Sequence, residues 1–190
     1  MKKILLLNGN PKNKSLCHAI TTSYAKAAST QHQVRRMDLH EMHFEVNLMY
    51  GYEANQVVEP CLQQFQQNLL WAEHIVIVSP LWWLALPAKL KGLIDRTLLP
   101  GFAFKYSETG TEVEKLLPNK TARVILTSDA PQTHLEQAAE GLITQLTHGT
   151  LGFCGIAPTQ YTLFGPAHLA TSEVIDNWLS EVTSIAVRGE

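Results

Sequence analysis

The stretch that decides the fold runs from Ser79 to Tyr106 and reads SPLWWLALPAKLKGLIDRTLLPGFAFKY. It follows an apolar run, His74 to Val78, which predicts a buried strand. A helix is predicted to begin at Pro87, because proline is favoured in the first turn of a helix. In open α/β sheets, ligands bind in loops at the carboxyl ends of the strands. The adjacent Trp82 and Trp83 lie in such a loop, which is therefore a candidate binding site.

Outward from this stretch, strands and helices alternate along the chain. Five strands are predicted, at Lys3–Asn8, Gln33–Asp38, His74–Val78, Thr121–Thr127 and Gln160–Leu163. Helices are predicted after Ser15, over Pro60–Ala72, from Pro87 to Arg96, over Thr133–His148 and from Thr171 to Val187. The stretch His40–Gln56 has no clear period and is predicted to be a long loop. The alternation predicts an α/β fold with a doubly wound, five-stranded parallel sheet in the flavodoxin-like order 2-1-3-4-5.

Length and composition limit the classes of protein that fit. The 190 residues suffice for one domain, residues 1–190, and the net charge of -2 with scattered lysines and arginines argues against nucleic-acid binding. No apolar run reaches the length of a membrane span, and the apolar stretch near the amino terminus is too short for a signal peptide. Three cysteines at unrelated spacings form no disulfide framework, which favours a cytoplasmic location. His40 and His43 lack a third ligand, so no metal site is expected.

The loop after the first strand, NGNPKNKS, leads directly into a helix capped by Ser15. Free N–H groups and the positive end of the helix dipole suit a phosphate at such a helix start. Neither Gly-x-Gly-x-x-Gly nor the P-loop pattern is present, because Gly9 is the only glycine in the loop. An ordinary strand-to-helix turn with a serine cap explains the same residues equally well.

Three loops are predicted to lie side by side at the carboxyl edge of the sheet. They are Asn10 to Cys17, Pro80 to Leu84 and Thr127 to Ala130. A phosphate at the first loop and a planar ring across the other two describe flavin mononucleotide, FMN. The alternative for Trp82 and Trp83 is a hydrophobic plug in the core, under a crossover connection.

The quoted stretch resembles the NAD(P)H:quinone reductase family of flavodoxin-like flavoproteins. The matching segments are Ser79–Trp83, Leu86–Gly92, Asp95-Arg96 and Gly101–Tyr106, with further similarity at Asn10–Ser15, Asp38–His40, Phe44, Asn47-Leu48 and Leu151–Gly155. The most specific segment is Pro-Ala-x-Leu-Lys-Gly followed by Gly-Phe-Ala-Phe. The resemblance covers nearly the whole chain.

The resemblance implies a homodimeric two-electron reductase that binds FMN, with FAD also possible. NADH or NADPH and then a quinone, or a related acceptor, would occupy one site in turn. The residues implied to bind the phosphate of the cofactor are Asn10, Ser15, Leu16 and Cys17. Backbone amides from Leu81 to Leu84 are implied to contact the ring edge, with Pro80, Trp82 and Trp83 beside it. Thr127, Ser128 and Asp129 are implied to lie on the other side of the ring. The implied substrate-binding residues are Trp83, Phe104 and Tyr106, the last two reaching into the pocket of the neighbouring subunit. No catalytic side chain is assigned.

The loop after the fourth strand departs from the family pattern. It reads Thr127-Ser128-Asp129-Ala130-Pro131, where close family members tend to carry Thr-Thr-Gly-Gly. A carboxylate at Asp129 would disfavour the negative charge of a reduced flavin unless the side chain points to solvent.

Two other functions fit parts of the sequence. A one-electron carrier of the flavodoxin type would have a strongly acidic docking surface, which a net charge of -2 and the extra Phe104/Tyr106 segment argue against. Some relatives of the family are ancillary, flavin-binding subunits of membrane potassium-efflux systems. Such a role, with a membrane-protein partner, is the alternative function.

Overall fold

The predicted strands form the centre of the fold, in a computed structural model that describes residues 1–190. In chain order the elements are β1 (Lys3–Asn8), α1 (Leu16–Ala28), β2 (Gln33–Asp38), α2 (Pro60–Trp71), β3 (His74–Pro80), α3 (Ala88–Thr97), β4 (Phe104–Tyr106), β5 (Val113–Lys115), β6 (Lys120–Thr127), α4 (Leu135–Thr144), α5 (Gly152–Cys154), β7 (Ile156–Phe164) and α6 (Ser172–Arg188). Five strands form one parallel sheet in the order β2-β1-β3-β6-β7. Because β4 and β5 form a separate hairpin, this is the predicted order 2-1-3-4-5, and the flavodoxin-like fold is confirmed.

Helices cover both faces of the sheet, which explains the continuous apolar strands. All seven residues of β3 are buried. In β1, Leu5 and Leu7 belong to the core on one face, whereas Ile4 and Leu6 belong to the core on the other. A strand covered on both faces has no polar side, so its sequence reads as an unbroken apolar run rather than an alternating one.

The predicted serine and threonine caps begin their helices as expected. Ser15 Oγ accepts a hydrogen bond of 3.1 Å from the His18 backbone N–H, and Thr171 Oγ1 accepts one of 3.4 Å from Val174. Each cap satisfies one of the backbone donors that a helix start leaves unpaired. The cap at Ser15 places the amino terminus of α1 at the carboxyl edge of the sheet.

Three local features differ from the sequence prediction. The fifth strand, predicted over Gln160–Leu163, is β7 and extends over Ile156–Phe164. The helix predicted over Thr133–His148 ends as α4 at Thr144 and continues as a wide π-turn over Gln145–Leu151. Gly152 makes this turn possible, since a side-chain carbon there would collide with the Thr147 carbonyl oxygen. The β4–β5 hairpin was not predicted, because strands of three residues are too short to show a period.

The long loop between β2 and α2 is irregular, as predicted, but a buried arginine fixes it. Arg96 on α3 is only 1% exposed. Its guanidinium donates to the Glu45 carbonyl, to the Val57 carbonyl at 2.6 Å and to Glu59 Oε2 at 2.9 Å. The two ends of this loop are therefore tied to one helix through one side chain.

The Glu59–Arg96 pair predicts a specific sensitivity to acid. Burial alone would raise the pKa of the Glu59 carboxyl, but hydrogen bonds from the Glu45 backbone N–H and from Arg96 outweigh it and hold the pKa below its ordinary value of about 4.5. A lowered pKa in the folded state stabilises the protein above the ordinary value, and this stabilisation is lost as the pH falls through the folded value. We expect the free energy of unfolding of the wild type to drop more between pH 6 and pH 3.5 than that of Glu59→Gln, measured by urea titration. Equal losses in the two proteins would contradict the assigned cause.

None of the helices combines the length and the apolar character needed to cross a bilayer.

Candidate functional site

Three loops meet at the carboxyl edge of the sheet, where the sequence predicts a crevice. Backbone hydrogen bonds just beyond the strands hold them in order. The Gly9 N–H donates to the Val78 carbonyl and the Leu81 N–H donates to the Thr127 carbonyl, both at 2.7 Å. The Ser128 N–H donates to the Phe164 carbonyl at 2.9 Å. The loops after β1, β3 and β6 therefore lie side by side in fixed register.

The first loop is shaped by two buried asparagines. Asn8 Oδ1 accepts a hydrogen bond of 3.3 Å from the Asn10 N–H, and Asn10 Oδ1 accepts one of 2.9 Å from the Lys12 N–H. A side-chain carbon at Gly9 would lie 2.5 Å from Leu90 Cδ2, so the loop packs tightly on α3. Asn10, predicted to contact the phosphate, is buried and has a structural role in holding the loop.

The amino terminus of α1 presents two free donors. Ser15 Oγ is already bonded to His18, whereas the N–H groups of Leu16 and Cys17 have no partner within the chain. The first turn carries no acidic residue to oppose an anion. Unpaired N–H groups and the helix dipole together favour a phosphate at this position.

Cys17 joins the first and third loops. Its Sγ lies 3.4 Å from Thr127 Oγ1, and both side chains are buried. Burial raises the pKa of the Cys17 thiol above its ordinary value, although hydrogen bonds to Thr127 and Asn10 act in the opposite direction. The thiol is therefore neutral and packed, and the position of Cys17 in a helix start does not activate it.

The tryptophan pair lies in a strained, exposed turn. Trp82 and Ala85 exchange two backbone hydrogen bonds of 3.0 Å, and the residues between them, Trp83 and Leu84, have φ values of 52° and 59°. This is the geometry of a type I′ turn, which costs side-chain-bearing residues about 1–2 kcal/mol each. Trp82, Trp83 and Leu84 are 46%, 100% and 65% exposed. The interpretation as a core plug is therefore wrong.

The same turn corrects which amides can contact a ligand. The family resemblance implies that backbone amides from Leu81 to Leu84 contact the edge of the flavin ring. The Leu81 N–H already donates to the Thr127 carbonyl, and the Trp82 N–H donates to the Ala85 carbonyl. Only the amides of Trp83 and Leu84 have no partner in the chain.

The third loop holds its polar atoms in internal bonds and leaves one amide free. Thr127 and Ser128 are buried, and Ser128 Oγ accepts a hydrogen bond of 3.1 Å from the Ala130 N–H. The Asp129 N–H has no partner, while its carboxylate Oδ1 accepts a 2.8 Å hydrogen bond from the His168 backbone N–H. His168 lies in the loop after β7, which the sequence did not lead us to assign to the candidate site.

The two aromatics of β4 have different environments. Phe104 is 5% exposed and packs edge-on against Tyr106 and Phe153, with ring centroids 5.5 Å and 5.0 Å apart. Tyr106 is 50% exposed and lines, with Tyr52 and Phe153, a groove of about 310 Å³. The prediction that Phe104 reaches into a neighbouring subunit needs correction, because its ring fills the core of its own chain.

The main cavities of the chain do not coincide with the crevice. One of about 550 Å³, for example, is lined by Arg123, Tyr161 and Arg188 beside β7. The surface between the three loops is open, and its chemical groups rather than its depth identify it as the candidate site. Adjacent exposed apolar side chains beside unpaired amides are typical of an interaction site.

The chain matches one family over almost its whole length and is similar to several named proteins. The family described as having a flavodoxin-like fold matches residues 2–183. An uncharacterized NAD(P)H oxidoreductase of Haemophilus influenzae is 35% identical over 139 residues, which cover 70% of this chain and 67% of the relative. An FMN-dependent NADH:quinone oxidoreductase of Caldicellulosiruptor saccharolyticus is 27% identical over 99% of this chain and 100% of the relative.

Among solved structures, an NAD(P)H:quinone oxidoreductase from Methanothermobacter marburgensis superposes with a TM-score of 0.85. The match covers 100% of this chain and 99% of that one at 21% identity, and it supports the fold alone. The family match spans the whole sheet, and the three loops lie where this fold binds its ligands. The chain belongs to the flavodoxin-like family, and its relatives include proteins named as NAD(P)H oxidoreductases.

Proposed function

We propose that the protein is an FMN-dependent NAD(P)H:quinone oxidoreductase. The observation that carries this proposal is the set of unpaired backbone amides along one edge of the sheet. They belong to Leu16 and Cys17, to Trp83 and Leu84, and to Asp129. The name of the relative from Caldicellulosiruptor saccharolyticus supports the same activity and cofactor, and that of the relative from Haemophilus influenzae supports an NAD(P)H oxidoreductase.

The donor groups fit the chemical groups of FMN. The N–H groups of Leu16 and Cys17 at the start of α1 suit the phosphate, and no carboxylate lies in that first turn. The amides of Trp83 and Leu84, and that of Asp129 across the crevice, suit the carbonyl and nitrogen edges of a flavin ring. The fully exposed indole of Trp83 provides an apolar surface for a planar ring.

Most of the chemistry belongs to the cofactor, which accepts a hydride from a pyridine nucleotide and passes it to the acceptor. The chain's own residues bind, orient and exclude water. Trp82 and Trp83 would offer apolar surface to a bound flavin ring, and the Asp129 N–H would offer a donor to negative charge on its edge. No side chain is assigned as a proton donor.

We also propose a domain organisation, a cellular location and an oligomeric state for the protein. Residues 1–190 act as one flavodoxin-like domain, the protein is cytoplasmic, and two copies form a homodimer. The groove of Tyr52, Tyr106 and Phe153 supports a pairing surface, because Tyr52 and Tyr106 are exposed aromatic side chains beside α3. NADH or NADPH and then a quinone use the same site in turn. The ancillary-subunit alternative gains no support from the relatives reported above.

The test of this function is a spectrum followed by an assay. Purified protein, or apo-protein titrated with FMN, is expected to show the absorbance of bound oxidised flavin. The complex is expected to oxidise NADH or NADPH in the presence of a soluble benzoquinone. Protein that takes up no FMN in titration would rule out the proposed function, and FMN-loaded protein that does not oxidise NADH or NADPH would rule out the enzyme activity.

Trp83→Gly separates a binding role of the turn from a structural one. Glycine adopts the left-handed φ of 52° without strain, so we expect the free energy of unfolding to stay equal or rise by about 1 kcal/mol. Loss of an apolar ring contact is expected to weaken FMN binding or quinone turnover roughly tenfold. Thermal melts and flavin titrations of Trp83→Gly and Trp83→Ala measure both effects. A large loss of stability with normal flavin binding would contradict the assignment.

A further inference from the structure

Asp129 and His168 join two loops that border the crevice. Asp129 Oδ1 lies 2.8 Å from the His168 backbone N and 3.2 Å from its ring Nδ1, although the residues are 39 positions apart. The same two loops are tied by a 2.8 Å hydrogen bond from the Ala167 N–H to the Ser128 carbonyl. A side-chain carbon at Gly165 would lie 2.7 Å from that carbonyl oxygen, so the loops are in close contact. His168 is thus held at a fixed position beside the third loop.

The backbone and the side chain of Asp129 differ in their hydrogen bonding. Its backbone N–H has none within the chain, whereas its carboxylate is engaged by His168. A carboxylate that turned toward the crevice would repel negative charge on a ligand bound there. A flavin gathers negative charge at its ring edge on reduction, so this repulsion would act on the reduced form more than on the oxidised form.

We propose that Asp129 and His168 form a latch that holds the Asp129 carboxylate away from the flavin ring edge and leaves the Asp129 amide available to it. This inference rests on the proposed function. Asp129 and His168 are positioning residues in this role, because His168 acts only through the conformation of Asp129. The latch sets the preference of the site for reduced over oxidised flavin.

The latch predicts effects of opposite sign for its two members. Asp129→Asn removes the charge and is expected to raise the affinity ratio of reduced to oxidised FMN roughly fivefold. His168→Pro removes the ring and also the backbone N–H, which alanine would keep, so it releases the carboxylate and is expected to lower the same ratio by a similar factor. The double variant Asp129→Asn/His168→Pro is expected to behave like Asp129→Asn, because residue 129 then carries no charge to release.

The experiment is anaerobic FMN titration in the oxidised and dithionite-reduced states, with the reduction potential of the bound flavin as a second measurement. His134→Ala is the matched control. This substitution removes the ring of His134, which lies just before α4, the helix that follows the third loop. That ring is hydrogen-bonded only to the neighbouring Thr133. The substitution is expected to leave the affinity ratio unchanged. Amide hydrogen exchange of residues 128–130 in the apo-protein is expected to be faster in His168→Pro than in the wild type or in His134→Ala.

The outcomes separate the latch from the function on which it rests. If the wild type binds FMN and the two single variants shift the ratio in the same direction or not at all, the latch is overturned while the proposed function stands. If exchange in residues 128–130 is the same in His168→Pro and in the wild type, the latch is likewise overturned. If the wild type binds no FMN, the proposed function fails and the assigned role of the latch fails with it.

Discussion

Replacing Arg96 by methionine is expected to lower the free energy of unfolding by about 3 kcal/mol. Arg96 is almost fully buried and donates to two backbone carbonyls, of Glu45 and Val57, and to the Glu59 carboxylate. Methionine retains much of the apolar volume but none of the donors. The two carbonyls and the carboxylate would then have to find water or remain unpaired, and it is this loss that carries the energetic cost.

Lys91→Met on the same helix is the matched control. Lys91 forms an ion pair of 2.7 Å with Asp95, and the two side chains are 46% and 40% exposed, so water screens the pair. Exposed pairs of this kind contribute only about 0.5 kcal/mol. Urea unfolding of the two variants compares a buried arginine with an exposed lysine in one helix. Similar small losses in both would contradict the anchoring role of Arg96.

Arg96→Met is also expected to release the loop between β2 and α2. Limited proteolysis within residues 45–57 should be faster in Arg96→Met than in Lys91→Met under conditions where both remain folded. Arg96→Lys is expected to recover only part of the loss, since one ammonium group does not reproduce the planar, several-donor geometry of a guanidinium. Full recovery by lysine would show that charge alone is what the loop requires.

The parts of the fold that follow from local patterns could be predicted from the sequence. The bounds of β1 and β2 match the prediction, and Ser15 and Thr171 cap the helices assigned to them. In β1 a continuous apolar run signals a strand buried on both faces, and a serine or threonine before a periodic segment signals a helix start. Both signals lie within a few neighbouring residues, so no knowledge of distant contacts is needed.

Other features that the sequence did not reveal depend on distant partners. Arg96 contacts carbonyls 39 and 51 positions away, in a loop without a period, and His168 contacts Asp129 across 39 positions. The burial of Phe104 depends on Phe153, which the π-turn region brings close. An arginine near a helix end or an aromatic in a short strand looks the same in sequence whether it is buried or exposed.

The candidate site depends both on local sequence patterns and on contacts between distant residues. Its three loops follow from strand-loop-helix patterns, so their position at the carboxyl edge was predictable. Which of their amides are free was not, because this depends on hydrogen bonds between loops, such as that from Leu81 to Thr127. The structure thus reduces a broad assignment over Leu81 to Leu84 to the two amides at the tip of the turn.

Leu16→Pro is expected to weaken FMN binding about 10- to 100-fold while leaving the helix intact. Leu16 is the first residue of α1, where proline is favoured because the N–H it lacks has no intrahelical partner. Ser15 before it has φ −158° and ψ 164°, an extended conformation that a following proline permits. The variant thus deletes one of the two free donors assigned to the phosphate, and a hydrogen bond to a charged group contributes about 1.5–3 kcal/mol.

Leu16→Ala is the control, because it removes the same side chain but keeps the backbone N–H. Leu16 packs against the core between α1 and α6, so both variants are expected to lose a similar, modest amount of stability. Only Leu16→Pro should lose affinity for FMN, and only for ligands that carry the phosphate; riboflavin binding should be weakened much less. If Leu16→Pro and Leu16→Ala bind FMN equally well, the phosphate does not lie at the start of α1. The loop after β1 is then an ordinary strand-to-helix turn, the alternative that its sequence always allowed.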